Sequence, residues 1–302
     1  MTQISKRKTV AQIATLRGQG IHSGEQVTLR IRPAACGTGL VFISEKHRSQ
    51  VAVSPFHVVG TTNAVTLGNR KWHVQTVEHL LAALAAAGIS DALLEVDAPE
   101  IPIMDGSSEP FYQAVQDAGI VEYEEQLEPI RLHTPVWVVD GEKYLVALPD
   151  DQLRVTYSID FNHPLLKGQT ISMDLGGDRL AREILPARTF GFLKDVEAMK
   201  AKGLIKGGSI ENAIVLTDDG YLNESLRFEQ ECVRHKVLDL IGDLYLLGRP
   251  LIAHLIASRA GHALDVALGR KIYTQVAMNE LQQRKETRFA GGPLRASEGQ
   301  VR

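Results

Sequence analysis

Apolar positions along this chain recur at two spacings, and the alternation between them predicts the order of elements. Over residues 9–44 the period is two: Val27, Leu29 and Ile31 are separated by polar neighbours, and 40–43 is a short apolar run after Gly37 and Gly39, so this stretch reads as strands. Residues 51–67 continue as β-like sequence with a break at Gly60. At 76–88 the spacing turns helical. Val77, Leu80, Leu81 and Leu84 form one stripe, with Thr76 as the expected N-cap and Gly88 as the stop. A strand over 91–98 follows, then a loop and a helix capped by Ser107 or Ser108 that runs to about residue 118. The charged stretch EYEEQLEP (122–129) reads as a linker.

Beyond it the order repeats. PVWVV, an Asp140-Gly141 hairpin signal and KYLVAL precede the alternating LRVTYSIDF (153–161). Val233, Val237, Leu240, Ile241, Leu244 and Leu247 mark a helix over 231–247, stopped by Gly248 and Pro250. A strand over 251–258 and a helix from about residue 262 complete the series. Each half is strands, then helix, strand, helix. The prediction is an α+β fold of two similar domains, 1–126 and 127–302, facing each other. The second is interrupted between 187 and 227, with a hydrophobic insert at about 193–222 that carries a helix near 194–202. The polar tail from about residue 285 is expected to be disordered.

Composition narrows the class. The 302 residues, 44% hydrophobic and 23% charged, describe an ordinary soluble globular protein with enough chain for a real core. A net charge of −3 implies no basic face for nucleic acid. Two cysteines, Cys36 and Cys232, make no disulfide framework, which points to a reducing cytoplasm. The basic N-terminus lacks the apolar run of a signal peptide, and no segment reaches 18 uninterrupted apolar residues. No obligate protein partner is evident.

Chemistry enters with the helix at 231–247. His235, Asp239 and Asp243 stand at successive i, i+4 steps and share one stripe. Such a stripe is ordinarily a solvated face, but this one interrupts a strongly apolar helix. Glu78 and His79 occupy an equally unusual place, side by side in the first turn of the Ala/Leu-rich helix at 76–88. A catalytic zinc takes three protein ligands and leaves one position open. His79, His235 and Asp239 would supply them, with Glu78 left beside the metal as a base.

The chain closely resembles the UDP-3-O-acyl-N-acetylglucosamine deacetylases, zinc amidases of lipid A biosynthesis, from about residue 8 to about residue 270. The resemblance rests on GIHSGE (20–25), TVEHLLAAL (76–84), IPIMDGS (101–107), ARTFGF (187–192), KGGSIENAIV (206–215), RHKVLDLIGDLYLLG (234–248) and GHAL (261–264), in that order. It implies helices sandwiched between two sheets, with the site at the domain interface. It also implies Zn2+-dependent hydrolysis of the N-acetyl group of UDP-3-O-(3-hydroxyacyl)-N-acetylglucosamine with release of acetate, the committed step of lipid A biosynthesis, in the cytoplasm of a Gram-negative-type bacterium. Glu78 would take a proton from water, His262 would protonate the amine with Asp243 orienting it, and Thr189 would bond the oxyanion. Asp105 would buttress the site and His22 would lie beside it. Lys236 would meet a phosphate, and Lys143, Asp160 and Phe161 the uridine end. Phe190 and Phe192 would line an acyl passage, with Ile205, Ile210 and Ile214 as its opposite wall.

The chain departs from the family pattern at Ser225, where a turn is shortened, at Asp265, where asparagine is usual, and over the short segment 167–181. A non-haem iron oxygenase would also use two histidines and a carboxylate, but its usual His-x-Asp spacing is absent. A metal-stabilised binding module would leave Glu78, His262 and Thr189 without a task.

Overall fold

The computed structural model describes residues 5–290, with side chains through Glu280. The last helix continues through Ala290, past the start of the tail expected from about residue 285, and residues 291–302 of that tail lie outside the described residues.

The first sheet has the spatial order Ala14–Gln19, Gln26–Pro33, Ala92–Val96, Leu40–Ser44, Ser49–Ala52. Its pairs are antiparallel except Leu40–Ser44, which runs parallel to Ala92–Val96. The alternating residues Val27, Leu29 and Ile31 are buried, and against them pack α1 (Glu78–Ala87) and α2 (Glu109–Asp117) through Leu80, Leu81, Leu84, Phe111 and Val115. The strand Ala92–Val96 is a central one fed by the turn after α1, which Gly88 closes at φ 69°.

The second sheet repeats this plan: Val136–Asp140, Lys143–Leu148, His254–Ser258, Arg154–Ile159, Gln169–Asp174. Again a single pair is parallel, Arg154–Ile159 with His254–Ser258. Each sheet therefore places its own strands in the order first, second, fifth, third, fourth, and the duplication read from the periodicity is real at the level of strand order. In the second half α3 (Leu193–Ala201) belongs to the insert, while α4 (Glu231–Leu244) and α5 (His262–Ala290) cover the sheet. Val233, Val237 and Leu240 of α4 bury against Val155, Tyr157 and Leu255.

The two layers of helices meet. α1 packs on α4, so the order through the molecule is sheet, helices, helices, sheet. Gly242 makes this contact possible, since a Cβ there would run into the Glu78 backbone carbonyl. Among the described residues no helix is long and apolar enough to cross a membrane.

Two local expectations are corrected, and the choice left open at the start of α2 is decided. The charged stretch at 122–129 is not a linker: Ile120–Leu127 is a strand paired antiparallel with Ser5–Val10, and its glutamates meet lysines across the ladder, Glu122 with Lys8 at 2.8 Å and Glu124 with Lys6 at 3.4 Å. Thr76 does not cap α1. Its backbone is left-handed (φ 61°) and its hydroxyl donates to Glu100 Oε1 at 3.0 Å, while Val77 holds the cap position without a side-chain bond. A β-branched residue in that region costs about 1–3 kcal/mol. At α2, Ser108 occupies the cap position but gives its hydroxyl to the His79 carbonyl at 2.8 Å, and it is Ser107 Oγ that accepts from Glu109 N–H.

Candidate functional site

The α1–α4 contact brings together side chains nearly 160 residues apart in sequence (79 to 235). His79 stands in the first turn of α1, and His235 and Asp239 one turn apart on α4; all three are buried. Their nitrogen and oxygen donor atoms lie within 4.8 Å of one another. Asp239 Oδ1 is 3.3 Å from His235 Nε2 and 3.7 Å from His79 Nε2. His235 Nδ1 lies 3.0 Å from the Ala187 carbonyl, which can only accept, so the proton sits on Nδ1 and Nε2 presents a lone pair to the cluster.

The electrostatics suit ligation. Burial, reinforced by His235, pushes His79 down to about 3, and burial lowers His235 against the pull of Asp239. Both imidazoles are therefore neutral at pH 7. Burial would raise Asp239, but His235 and Lys236 overcome it and hold the carboxyl well below the usual range. Two neutral nitrogens and one carboxylate are a donor set that zinc accepts, and His79 Nδ1, buried with no partner among the described residues, shows that the site is not closed around its own hydrogen bonds. Lys236 Nζ donates to Asp239 Oδ2 at 2.6 Å. Where the sequence suggested a phosphate contact, the ammonium braces a carboxylate, although Lys236 also lines the cavity described below.

Glu78 and His262 flank the cluster. Glu78 Oε2 accepts from Val65 N–H at 3.0 Å, which leaves Oε1 4.0 Å from His262 Nε2. Burial pushes Glu78 up to about 8, moderated by His262. His262 opens α5, and its Nδ1 lies 2.7 Å from Asp243 Oδ2. Thr189 is half-buried at the edge of the same space, its N–H bonded to the Gly106 carbonyl at 2.8 Å. Among the described residues Asp105 makes no hydrogen bond to the three clustered side chains. It accepts from Ser107 and, at 2.7 Å, from Arg227, and so anchors the turn whose Gly106 holds Thr189.

Two cavities open from this centre. One, of about 640 Å³, is lined by Glu78, His79, His235 and Asp239 and also by Lys143, Asp160, Phe161 and Arg259. Arg259 bonds Asp160 and Glu142 and was not indicated by the sequence; its left-handed backbone (φ 49°) at the end of a strand is visible only in the fold. The other, of about 360 Å³, is lined by Phe190, Phe192, Val196 and Met199 together with His22, Ile205 and Ile210. Phe190–Phe192 is extended, and both rings pack on Phe161, at 5.6 and 5.7 Å between centroids. Ile214 is corrected: it is fully buried in the core, and its neighbour Val215 faces the cavity. His22 is buried at the cavity wall, its loop held by Glu100, which accepts from His22 N–H and Ser23 N–H and which the sequence reading missed.

Known proteins share this chain's sequence over nearly its whole length. A deacetylase of Leptospira biflexa, a UDP-3-O-acyl-N-acetylglucosamine deacetylase by name, is 56% identical over 292 residues, 96% of this chain and 97% of its own. Proteins of the same name from Myxococcus xanthus and Acidithiobacillus ferrooxidans are 46% and 42% identical, covering 91% and 88% of this chain and 88% and 90% of theirs. The family model LpxC, UDP-3-O-acyl N-acetylglycosamine deacetylase, matches residues 7–274, a span that takes in both sheets and every residue of the buried cluster. With that coverage and those identities, the chain belongs to the LpxC family of UDP-3-O-acyl N-acetylglycosamine deacetylases.

Proposed function

We propose that this chain is a zinc-dependent amidohydrolase that removes the N-acetyl group of UDP-3-O-(3-hydroxyacyl)-N-acetylglucosamine and releases acetate, in lipid A biosynthesis. The observation that carries the reading is the convergence of His79, His235 and Asp239 from two helices, with the ionisable Glu78 beside them at the meeting of two cavities. Zinc held by those three residues would acidify a water molecule and polarise the acetamide carbonyl.

The remaining roles fall to the chain itself. Glu78 Oε1, free of the bond that ties Oε2, would take the proton of the attacking water; burial raises this carboxyl, and the positive charge of a zinc ion held beside it would return it to the ionised form. His262 Nε2 gives a proton to the departing amine, its ring held by Asp243. The Thr189 hydroxyl donates to the oxyanion. The larger cavity receives the UDP-sugar: Lys143 meets phosphate charge with Lys236 deeper on the same wall, and Phe161 and Asp160 line the nucleoside end. The smaller, apolar cavity takes the 3-hydroxyacyl chain along Phe190 and Phe192, with His22 at its wall. The domain boundary lies near residue 127, after the strand that pairs with the N-terminus.

Acetate release from the UDP-3-O-(3-hydroxyacyl)-N-acetylglucosamine substrate tests the proposal. Acetate and free amine should appear in equal amounts, cease on chelation and return with one equivalent of zinc. A zinc-loaded, folded chain that releases no acetate from this substrate overturns it.

A further inference from the structure

Behind His262 lies a carboxyl that the proposed chemistry leaves without a task. Asp265, three residues on in the first turn of α5, is fully buried, and neither of its oxygens has a hydrogen-bond donor among the described residues. The same holds for Asp243 Oδ1, while Asp243 Oδ2 faces His262 Nδ1. The ligand-type atoms of Asp243, His262 and Asp265 lie within 4.8 Å of one another, so the two carboxyls stand side by side behind the imidazole.

Two carboxylates this close together and away from water cannot both stay ionised without a cation between them. The groups facing the pair are Asp239 and Lys236 on α4, His262 on α5 and Tyr157 from the strand Arg154–Ile159, and Lys236 spends its ammonium on Asp239. Burial raises both carboxyls well above the ordinary range, with Asp239 adding to the effect on Asp243 and Asp243 to that on Asp265. One shared proton resolves the conflict and gives the orphaned Asp243 Oδ1 a donor. Its location follows from the geometry: Asp243 is the acceptor for His262, so the acid form belongs to Asp265.

We propose that Asp265 is a positioning residue for the deacetylation, a neutral carboxylic acid that donates to Asp243 Oδ1 and fixes that carboxylate against His262. A second negative charge at this point would hold the imidazolium proton too tightly for transfer to the amine. The kinetic half of this inference rests on the proposed function; the protonation state does not.

The test uses the zinc-loaded protein and two variants. Asp265→Asn offers a neutral donor in the same place, so the His262 pKa, followed by NMR, should stay within about half a unit of wild type. Asp265→Leu removes the donor and should lower kcat on the order of 10- to 100-fold with KM unchanged, and the Asn variant should restore it. A His262 pKa that falls by about a unit or more in Asp265→Asn shows an ionised Asp265 and overturns the assignment. A folded Leu variant with wild-type kcat overturns the positioning role. Should the Leu variant fail to fold, or the chain release no acetate, the Asn titration still decides the protonation state.

Discussion

Glu78 Oε1 and His262 Nε2 face each other at 4.0 Å, one from each half of a duplicated chain. The distance is too long for a direct hydrogen bond and leaves a gap between the proposed proton acceptor and the proposed proton donor. Glu78→Gln and His262→Ala should therefore retain stoichiometric zinc and lose about 10²–10⁴-fold in kcat. Metal analysis beside initial rates checks this; loss of zinc from either variant would move that residue into the ligand set.

The three proposed ligands should behave in the opposite way. His79→Ala, His235→Ala and Asp239→Ala each leave two ligands where a catalytic zinc takes three, so each should lose bound zinc on dialysis. A variant that keeps both full metal and full rate shows that its residue is not a ligand.

Phe192 lines the smaller cavity and is only half-buried, so truncating it removes contact with an acyl chain more than core packing. Each buried CH₂ is worth about 0.8 kcal/mol, so the loss should grow with chain length. Phe192→Ala should raise KM steeply for a long-acyl substrate, leave the substrate without the acyl group nearly unchanged, and spare Tm. Equal effects on both substrates, or a large fall in Tm, would return Phe192 to the core.

Glu231 supplies a pH-dependent term in stability. It is buried at the start of α4 and accepts from the Arg188 guanidinium, Arg188 N–H and Arg227 N–H. Burial opposes ionisation, yet these donors hold its pKa below the usual range. A folded-state pKa lowered in this way stabilises fully above the unfolded-state value, about 4.3, and less as pH falls through the folded one. Glu231→Gln should cost about 1–3 kcal/mol at pH 7, with the gap to wild type narrowing as pH falls below about 4. Urea unfolding at both pH values measures it; a gap that stays constant removes the charge from the explanation.

The change of apolar period was enough to reveal two similar halves, because alternate residues such as Val27, Leu29 and Ile31 report burial directly. What escaped was settled by partners distant in sequence. Ile120–Leu127 looked like a linker because its charges are balanced by Lys6 and Lys8 more than a hundred residues earlier. Thr76 looked like a cap, but Glu100 claims its hydroxyl. The clustered residues were legible for a different reason: polar groups on an otherwise apolar helix need a purpose. Lys236, adjacent to one of them, gave no sign that Asp239 would take its charge, since an i, i+3 pair on a helix is equally compatible with solvent.

Gly242 carries a consequence for heat and activity. A glycine in mid-helix costs about 1 kcal/mol relative to alanine, and here the missing methyl lets the α4 backbone rest on the peptide of Glu78 itself. No flexible side chain stands between the two halves at that point to absorb a small separation. Any slippage of one half against the other is passed undamped to Glu78, the proposed proton acceptor. Turnover should thus work as a ruler for the seam: on warming, it fades as the halves begin to part, at temperatures where each sheet is still intact.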